Sequence, residues 1–108
     1  MLDTARGRPA AGIPVVLELQ HGDAGDGWRL VGRGETDIDG RLRTLLPQGD
    51  AAPGVYRLTF DTRQYFDTLN VRAFYPRVIV VFEVAGGEAH YHVPLLLSPF
   101  GYSTYRGS

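Results

Sequence analysis

The chain has 108 residues, 44% of them hydrophobic, which suits a single domain over residues 1–108 whose small core would gain from an oligomer interface. The 11 basic and 12 acidic residues give a formal net charge of −1 without a run of either sign, which argues against nucleic acid or a membrane surface as a partner. Without cysteine the chain has no disulfide, thiol catalysis or zinc-thiolate site. No apolar stretch approaches the roughly 20 residues that span a bilayer. We expect a cytoplasmic protein, or a periplasmic one if a leader has been removed upstream.

Short apolar-alternating runs separated by Gly, Pro and Asp turns are typical of a β-sandwich. In residues 13–20 every second side chain is apolar, so one face of a strand would enter a core. The polar, glycine-rich segment 21–27 predicts a hairpin loop to the next strand. In chain order the predicted strands are 13–20, 28–36, 41–45, 55–60, Val78–Val84, 90–98 and 102–105.

One segment has helical periodicity instead. Tyr65, Phe66 and Leu69 fall at positions i, i+1 and i+4, and Asp61 or Thr62 can cap the start, which predicts a short helix over 62–70. The following strand, Val78–Val84, is almost continuously apolar, as is typical of a strand covered on both faces.

The C-terminal residues 90–108 read HYHVPLLLSPFGYSTYRGS and combine strand periodicity with polar side chains. Alternation directs one apolar set towards a core: Tyr91, Val93, Leu95 and Leu97. His90 and His92 share the opposite face, roughly 7 Å apart. Ser98-Pro99-Phe100-Gly101 predicts a turn, after which 102–105 returns as a second strand.

Two metal-site hypotheses arise from these motifs. His90 and His92 could bind a metal with a third ligand supplied by the fold, but they are better explained as polar residues on the wetter face of a strand, so no metal site is predicted. Thr36-Asp37-Ile38-Asp39-Gly40-Arg41 predicts a turn rather than a calcium loop, because the glutamate expected at the twelfth position is replaced by Leu46.

Three motifs together resemble the transthyretin-like family, and among its members the 5-hydroxyisourate hydrolases. They are Leu2-Asp3-Thr4-Ala5-Arg6-Gly7-Arg8-Pro9-Ala10, residues 36–41, and the terminal Tyr105-Arg106-Gly107-Ser108. The resemblance covers nearly the whole chain, in order and with compatible spacing. It implies an all-β, transthyretin-like (prealbumin-like) sandwich of two antiparallel sheets with one short helix, assembled as a homotetramer.

The resemblance also implies a reaction and its residues. The substrate would be 5-hydroxyisourate, a small molecule of urate degradation, and no cofactor is implied. His92 would help to activate the attacking water, because imidazole titrates near neutral pH. Arg41 and Ser108 would stabilise and orient the substrate anion, and Tyr105 would close the pocket. Hormone-carrying members have a smaller residue at the place of Tyr105.

One departure from the family concerns the start of the chain. Family members carry a Thr-His-Val-Leu-Asp run whose histidine is catalytic, whereas this chain begins Met1-Leu2-Asp3. We expect that the natural protein is longer, and that without most of its first strand this chain hydrolyses slowly if at all. The alternative is a non-catalytic module that binds a small ligand or a partner. An immunoglobulin-like adhesion domain is poorly supported, because the Cys…Trp…Cys spacing is missing.

Overall fold

A computed structural model describes residues 1–21, 27–40, 52–85 and 93–106. The strands in these ranges are β1 (Leu2–Asp3), β2 (Arg8–Pro9), β3 (Pro14–His21), β4 (Gly27–Glu35), β5 (Gly54–Phe60), β6 (Val78–Val84), β7 (Leu95–Ser98) and β8 (Gly101–Thr104), and the helix is α1 (Thr62–Thr68). The predicted strand over 41–45, most of the 21–27 loop and residues 90–92 lie outside the described residues.

The described strands form two sheets of four strands each. The first sheet has the order β2-β1-β7-β8 and the second the order β4-β3-β5-β6. Pairing is antiparallel throughout the second sheet, as expected, but the first sheet is mixed because β1 runs parallel to β7. No hairpin joins β1 to β7, since the chain between them builds the second sheet, and so no tight turn imposes an antiparallel direction.

Alternating side chains of both sheets form one core. Ile13, Val15 and Leu17 are buried and Leu19 is partly buried, as the alternation in 13–20 predicts. Tyr56, Leu58 and Phe60 of β5 are buried too, and Leu95 and Leu97 of β7 join the same cluster. The predicted inward-facing positions of the 13–20 strand, and Leu95 and Leu97 of the tail, are therefore confirmed.

Helix α1 lies where the periodicity predicts it and ends slightly earlier. Of the two candidate caps Asp61 is used, and its carboxyl group accepts a hydrogen bond from the backbone N–H of Gln64 at 3.4 Å. Asn70 has a φ of 57°, and this left-handed conformation terminates the helix. Tyr65 and Phe66 are buried and attach the helix to the core.

The expectation that Val78–Val84 is covered on both faces is wrong for the single chain. Val78 and Val84 are buried, but Ile79 is 47% and Val81 57% exposed. β6 is the last strand of the second sheet, and the exposed residues alternate with buried ones along it, so one face of the strand is open to solvent in the single chain. No helix in the described part of the chain is both long and apolar enough to cross a membrane.

Candidate active site

The predicted tail hairpin is confirmed with different strand bounds: β7 begins at Leu95 instead of extending back over residues 93–94, and β8 runs from Gly101 to Thr104. β7 and β8 are joined by Pro99 and Phe100, and Ser98 pairs with Gly101 across the turn. The hydroxyl group of Ser98 donates a hydrogen bond to the carbonyl of Gly101 at 3.1 Å, which holds the turn closed. Because Leu95 and Leu97 point into the core, Leu96 between them lies on the outer face of the first sheet.

Tyr105 lies at the end of a row of residues on the outer face of the first sheet. Strand register places Leu2 opposite Leu96 and Leu96 opposite Ser103. Side chains alternate between the two faces of a strand, so Tyr105 lies on the same face as Ser103, two positions before it. The side chain of Tyr105 is 57% exposed. The side chain of Tyr105 is therefore available to a ligand or to another copy of the chain.

The turn over residues 36–40 is built on a buried threonine. The Thr36 hydroxyl group donates to the carbonyl of Ala10 at 2.7 Å and accepts from the N–H of Ile13 at 2.9 Å. The Asp37 carboxyl group accepts from the N–H of Asp39 at 2.9 Å, an interaction that stabilises such turns. The predicted turn is confirmed over the residues that the structure describes.

Gly40 brings this turn to the start of β1. Its carbonyl accepts a hydrogen bond from the Met1 nitrogen, and the Met1 carbonyl in turn accepts from the N–H of Ala10 at 3.1 Å. Gly40 has a φ of 74°, and an added Cβ would overlap the Met1 carbonyl oxygen. The residue that precedes Arg41 therefore has to be small and packs against the first sheet.

Three segments that are distant in the sequence meet at this end of the first sheet. β1 begins here beside Gly40, and β7 begins here too because it is parallel to β1. β8 is antiparallel to β7 and therefore ends here, with Thr104 opposite Leu95 and its hydroxyl group donating to the Pro94 carbonyl at 2.6 Å. The described neighbours of Arg41 and His92 thus lie at the same end of the sheet as Tyr105.

A buried polar pair near this end was missed by the sequence analysis. The Asp3 side chain is 1% exposed, and its Oδ1 accepts from the N–H groups of Ala5 at 3.1 Å and Arg6 at 3.2 Å. Its Oδ2 accepts from the hydroxyl group of Tyr65 at 2.7 Å. Asp3 in the first motif and the buried Tyr65 were each identifiable, but no local signal joins residues that lie 62 positions apart.

The environment of Tyr65 disfavours its ionised form. Burial raises the pKa of the Tyr65 hydroxyl above its ordinary value of 10.0, and the hydrogen bond to Asp3 raises it further, while the Arg6 side chain acts in the opposite direction. Tyr65 therefore stays a neutral donor to Asp3 throughout the neutral pH range.

Among the proposed site residues only Tyr105 belongs to the described part of the chain. Arg41, His92 and Ser108 lie outside it, as does His90, so their roles stay predictions. No three His, Cys, Asp or Glu side chains within the described ranges could hold a metal ion together.

A cleft of about 500 Å³ lies elsewhere, between α1 and the tip of the tail hairpin. Its volume is within the usual range for small-molecule sites. It is lined by Arg63, Asp67, Arg72, Ala73, Phe74 and Phe100. Tyr105, the one proposed site residue in the described part of the chain, does not line this cleft.

Comparison with known proteins gives consistent results. The model of the HIUase/Transthyretin family matches residues 1–107. The chain is 48% identical to the 5-hydroxyisourate hydrolase of Salmonella dublin over 108 residues, covering 100% of this chain and 77% of that protein. It is 42% identical to the mouse (Mus musculus) 5-hydroxyisourate hydrolase, covering 100% of this chain and 91% of that protein.

Two solved structures have the same fold. Sea bream transthyretin in complex with thyroxine matches with a TM-score of 0.89 and 34% identity, over 98% of this chain and 89% of that one. The 5-hydroxyisourate hydrolase of Klebsiella pneumoniae matches with a TM-score of 0.84 and 33% identity, over 99% of this chain and 92% of that one. The expected all-β sandwich is thereby confirmed, and its fold is shared by a 5-hydroxyisourate hydrolase and by a transthyretin in complex with thyroxine.

Proposed function

The chain belongs to the HIUase/transthyretin family, and on this premise we propose that it hydrolyses 5-hydroxyisourate in urate degradation. The observation that carries the proposal is the 48% identity, over the whole chain, to a curated 5-hydroxyisourate hydrolase. Since one fold serves both an enzyme and a thyroxine-binding protein, the fold alone does not select between them. Whole-length identity to several hydrolases favours the enzyme.

In the proposed reaction, water opens the six-membered ring of 5-hydroxyisourate and gives 2-oxo-4-hydroxy-4-carboxy-5-ureidoimidazoline. His92 takes a proton from the attacking water, for which an imidazole near neutral pKa is suited. Arg41 stabilises the negative charge that develops on the substrate, Ser108 helps to orient it, and Tyr105 closes the pocket. The reaction needs water as co-substrate and no cofactor.

The geometry of the first sheet supports this assignment of residues. Gly40, which precedes Arg41, packs against Met1 at the start of β1. Pro94, two positions after His92, accepts a hydrogen bond from Thr104, next to Tyr105. A substrate bound at this end of the sheet would be within reach of side chains from each of these segments.

We propose that the active form is a homotetramer in the cytoplasm, with the periplasm as the alternative compartment. β6 and β8 are the last strands of their sheets in the described chain, and an open strand edge can pair with a second copy. Exposed apolar side chains lie on both strands: Ile79 and Val81 on β6 and Tyr102 on β8. The exposed Tyr105 would likewise be covered if the outer face of the first sheet packs against the same face of a second copy.

The test is a coupled assay in which urate oxidase generates 5-hydroxyisourate from urate. We expect the absorbance of the intermediate to decay faster with the protein than by spontaneous hydrolysis. A second protein, extended by a histidine directly before Met1, tests the catalytic role that the family resemblance gives to that residue, and we expect it to be faster. Decay at the spontaneous rate with both proteins would refute the enzymatic function.

The alternative is a carrier of a small hydrophobic ligand, which is favoured by the TM-score of 0.89 to thyroxine-bound sea bream transthyretin. Isothermal titration with thyroxine tests it directly. If Tyr105 closes the pocket as proposed, thyroxine does not bind, and Tyr105→Thr restores some binding. Tight binding by the unchanged chain, without hydrolysis, would favour the carrier.

A further inference from the structure

Strand β1 is too short to be oriented by sheet pairing alone. It contains only Leu2 and Asp3, and it pairs with β2 and β7 over these two positions. Beyond the strand, the N–H of Thr4 donates to the carbonyl of Leu97 at 2.8 Å. Few backbone bonds therefore define the direction in which β1 leaves the sheet towards Met1.

The Asp3 side chain supplies the missing constraint. A buried carboxyl group is stable only if its oxygens are satisfied by hydrogen bonds, and three donors meet this one. Two donors are backbone groups of the segment that follows β1, whereas the third, Tyr65, belongs to α1. Tyr65 is thus the donor that ties Asp3 to a separate, packed element.

The other end of β1 contacts the turn that leads to Arg41. Met1 donates to the carbonyl of Gly40 and accepts from Ala10, so a rotation or shift of β1 moves the backbone on which Gly40 rests. Gly40 is directly followed by Arg41 in the sequence. A continuous series of contacts therefore runs from Tyr65 through Asp3 and β1 to the residue before Arg41.

We propose that Tyr65 is a positioning residue for the hydrolysis: through Asp3 and β1 it sets the point from which Arg41 reaches the substrate. This inference rests on the proposed function, because Arg41 has its catalytic role only there. Tyr65 itself does not contact the substrate. Its loss should lower kcat, because a misplaced charge-stabilising group weakens transition-state binding more than ground-state binding.

The chain offers a matched control in Tyr56. Tyr56 is buried as Tyr65 is, and its hydroxyl group donates to the carbonyl of Ala52 at 2.7 Å, the same length as the hydrogen bond from Tyr65 to Asp3. It lies on β5 of the second sheet, where it pairs with Leu19 of β3 and Phe82 of β6. Tyr56→Phe and Tyr65→Phe therefore remove the same atom from similar surroundings, and only the second breaks the proposed series of contacts.

The experiment measures kcat and KM for the tetramer of each variant, after circular dichroism has shown that it is folded. We expect Tyr65→Phe to lower kcat about tenfold with KM nearly unchanged, and Tyr56→Phe to leave both unchanged. In an Arg41→Ala background Tyr65→Phe should lower kcat no further, because the two residues act through one interaction. Should Tyr65→Phe fail to fold, Asp3→Asn takes its place with the same expectation.

Hydrogen exchange separates this inference from the proposed function. The Ala10 N–H, which donates to Met1, should exchange faster in Tyr65→Phe than in Tyr56→Phe. An active wild-type protein in which both Tyr→Phe variants have equal kcat, or in which Tyr65→Phe and Arg41→Ala are additive, would overturn the positioning role. Inactivity of both the unchanged protein and the protein extended by a histidine before Met1 would instead overturn the proposed function. Equal Ala10 exchange in both Tyr→Phe variants would still overturn the link from Tyr65 to Met1.

Discussion

Replacing Thr36 with valine removes one hydroxyl group and nearly preserves the shape of the side chain. In the folded protein this hydroxyl satisfies two buried backbone groups, the Ala10 carbonyl at 2.7 Å and the Ile13 N–H at 2.9 Å. Ala10 and Ile13 are both 0% exposed, so water does not replace the lost partner. Each buried unsatisfied group costs about 1–3 kcal/mol. Thr36→Val should therefore lower the free energy of unfolding by about 3 kcal/mol.

Thermal unfolding by circular dichroism measures this loss. For a domain of this size, about 3 kcal/mol corresponds to a Tm lower by about 12 °C or more. Thr59→Val is the control, because Thr59 lies on β5, is half-buried and makes no side-chain hydrogen bond to another residue of the described ranges. All proteins are compared at one concentration, since assembly makes Tm depend on concentration. Equal Tm values for Thr36→Val and Thr59→Val would refute the role assigned to the Thr36 hydroxyl.

Three further outcomes are expected. Arg41→Ala should lower the hydrolytic rate about a hundredfold or more without a change in Tm, as loss of one charge-stabilising donor does; a joint loss of folding would assign Arg41 a structural role. Because the pKa of Tyr65 is raised in the folded state, its neutral form stabilises the fold below its ordinary pKa of 10.0, and this contribution is lost as pH rises through the folded-state pKa. Denaturant titrations at about pH 8 and about pH 11 should then show a smaller alkaline loss of stability in Tyr65→Phe than in the wild type, and equal losses would contradict the assignment. Light scattering should report a tetramer. Val81→Lys on β6 should dissociate it with loss of activity, whereas Leu30→Lys on β4 should leave it intact. A fully active monomer would exclude a site at the interface between subunits.

Local periodicity was sufficient for most strands and for the helix. The alternation from Ile13 to Leu19 and the helical spacing of Tyr65, Phe66 and Leu69 each report which side of an element is apolar, and this property is encoded within a few residues. The same kind of signal could not establish the environment of Ile79 and Val81. An apolar side chain on β6 has the same pattern whether it is covered by its own chain or by another copy.

For the candidate site, too, sequence motifs pointed to residues, but not to the contacts between residues that are far apart in the sequence. The residues of the site came from sequence motifs, and Tyr105 was placed by a turn and a strand that the sequence predicts correctly. The position of Gly40 against Met1 was not foreseeable, because it depends on a contact between residues 39 positions apart. Nor was the bond between Tyr65 and Asp3, which joins a helix to a strand of the first sheet.

The amino-acid sequence contains the fold class and the family, because periodicity, turn residues and motifs are properties of neighbouring residues. The motifs also supply the hypothesis that Arg41, His92, Tyr105 and Ser108 act on the substrate. Tertiary structure alone decides that β1 pairs with β7 in parallel, that Asp3 is buried against Tyr65, and that the turn before Arg41 rests on the first strand. These contacts form only when the sheets pack and exclude water. In the unfolded chain water competes for the carboxyl and hydroxyl groups, whereas in the folded protein they form a stable hydrogen bond with each other.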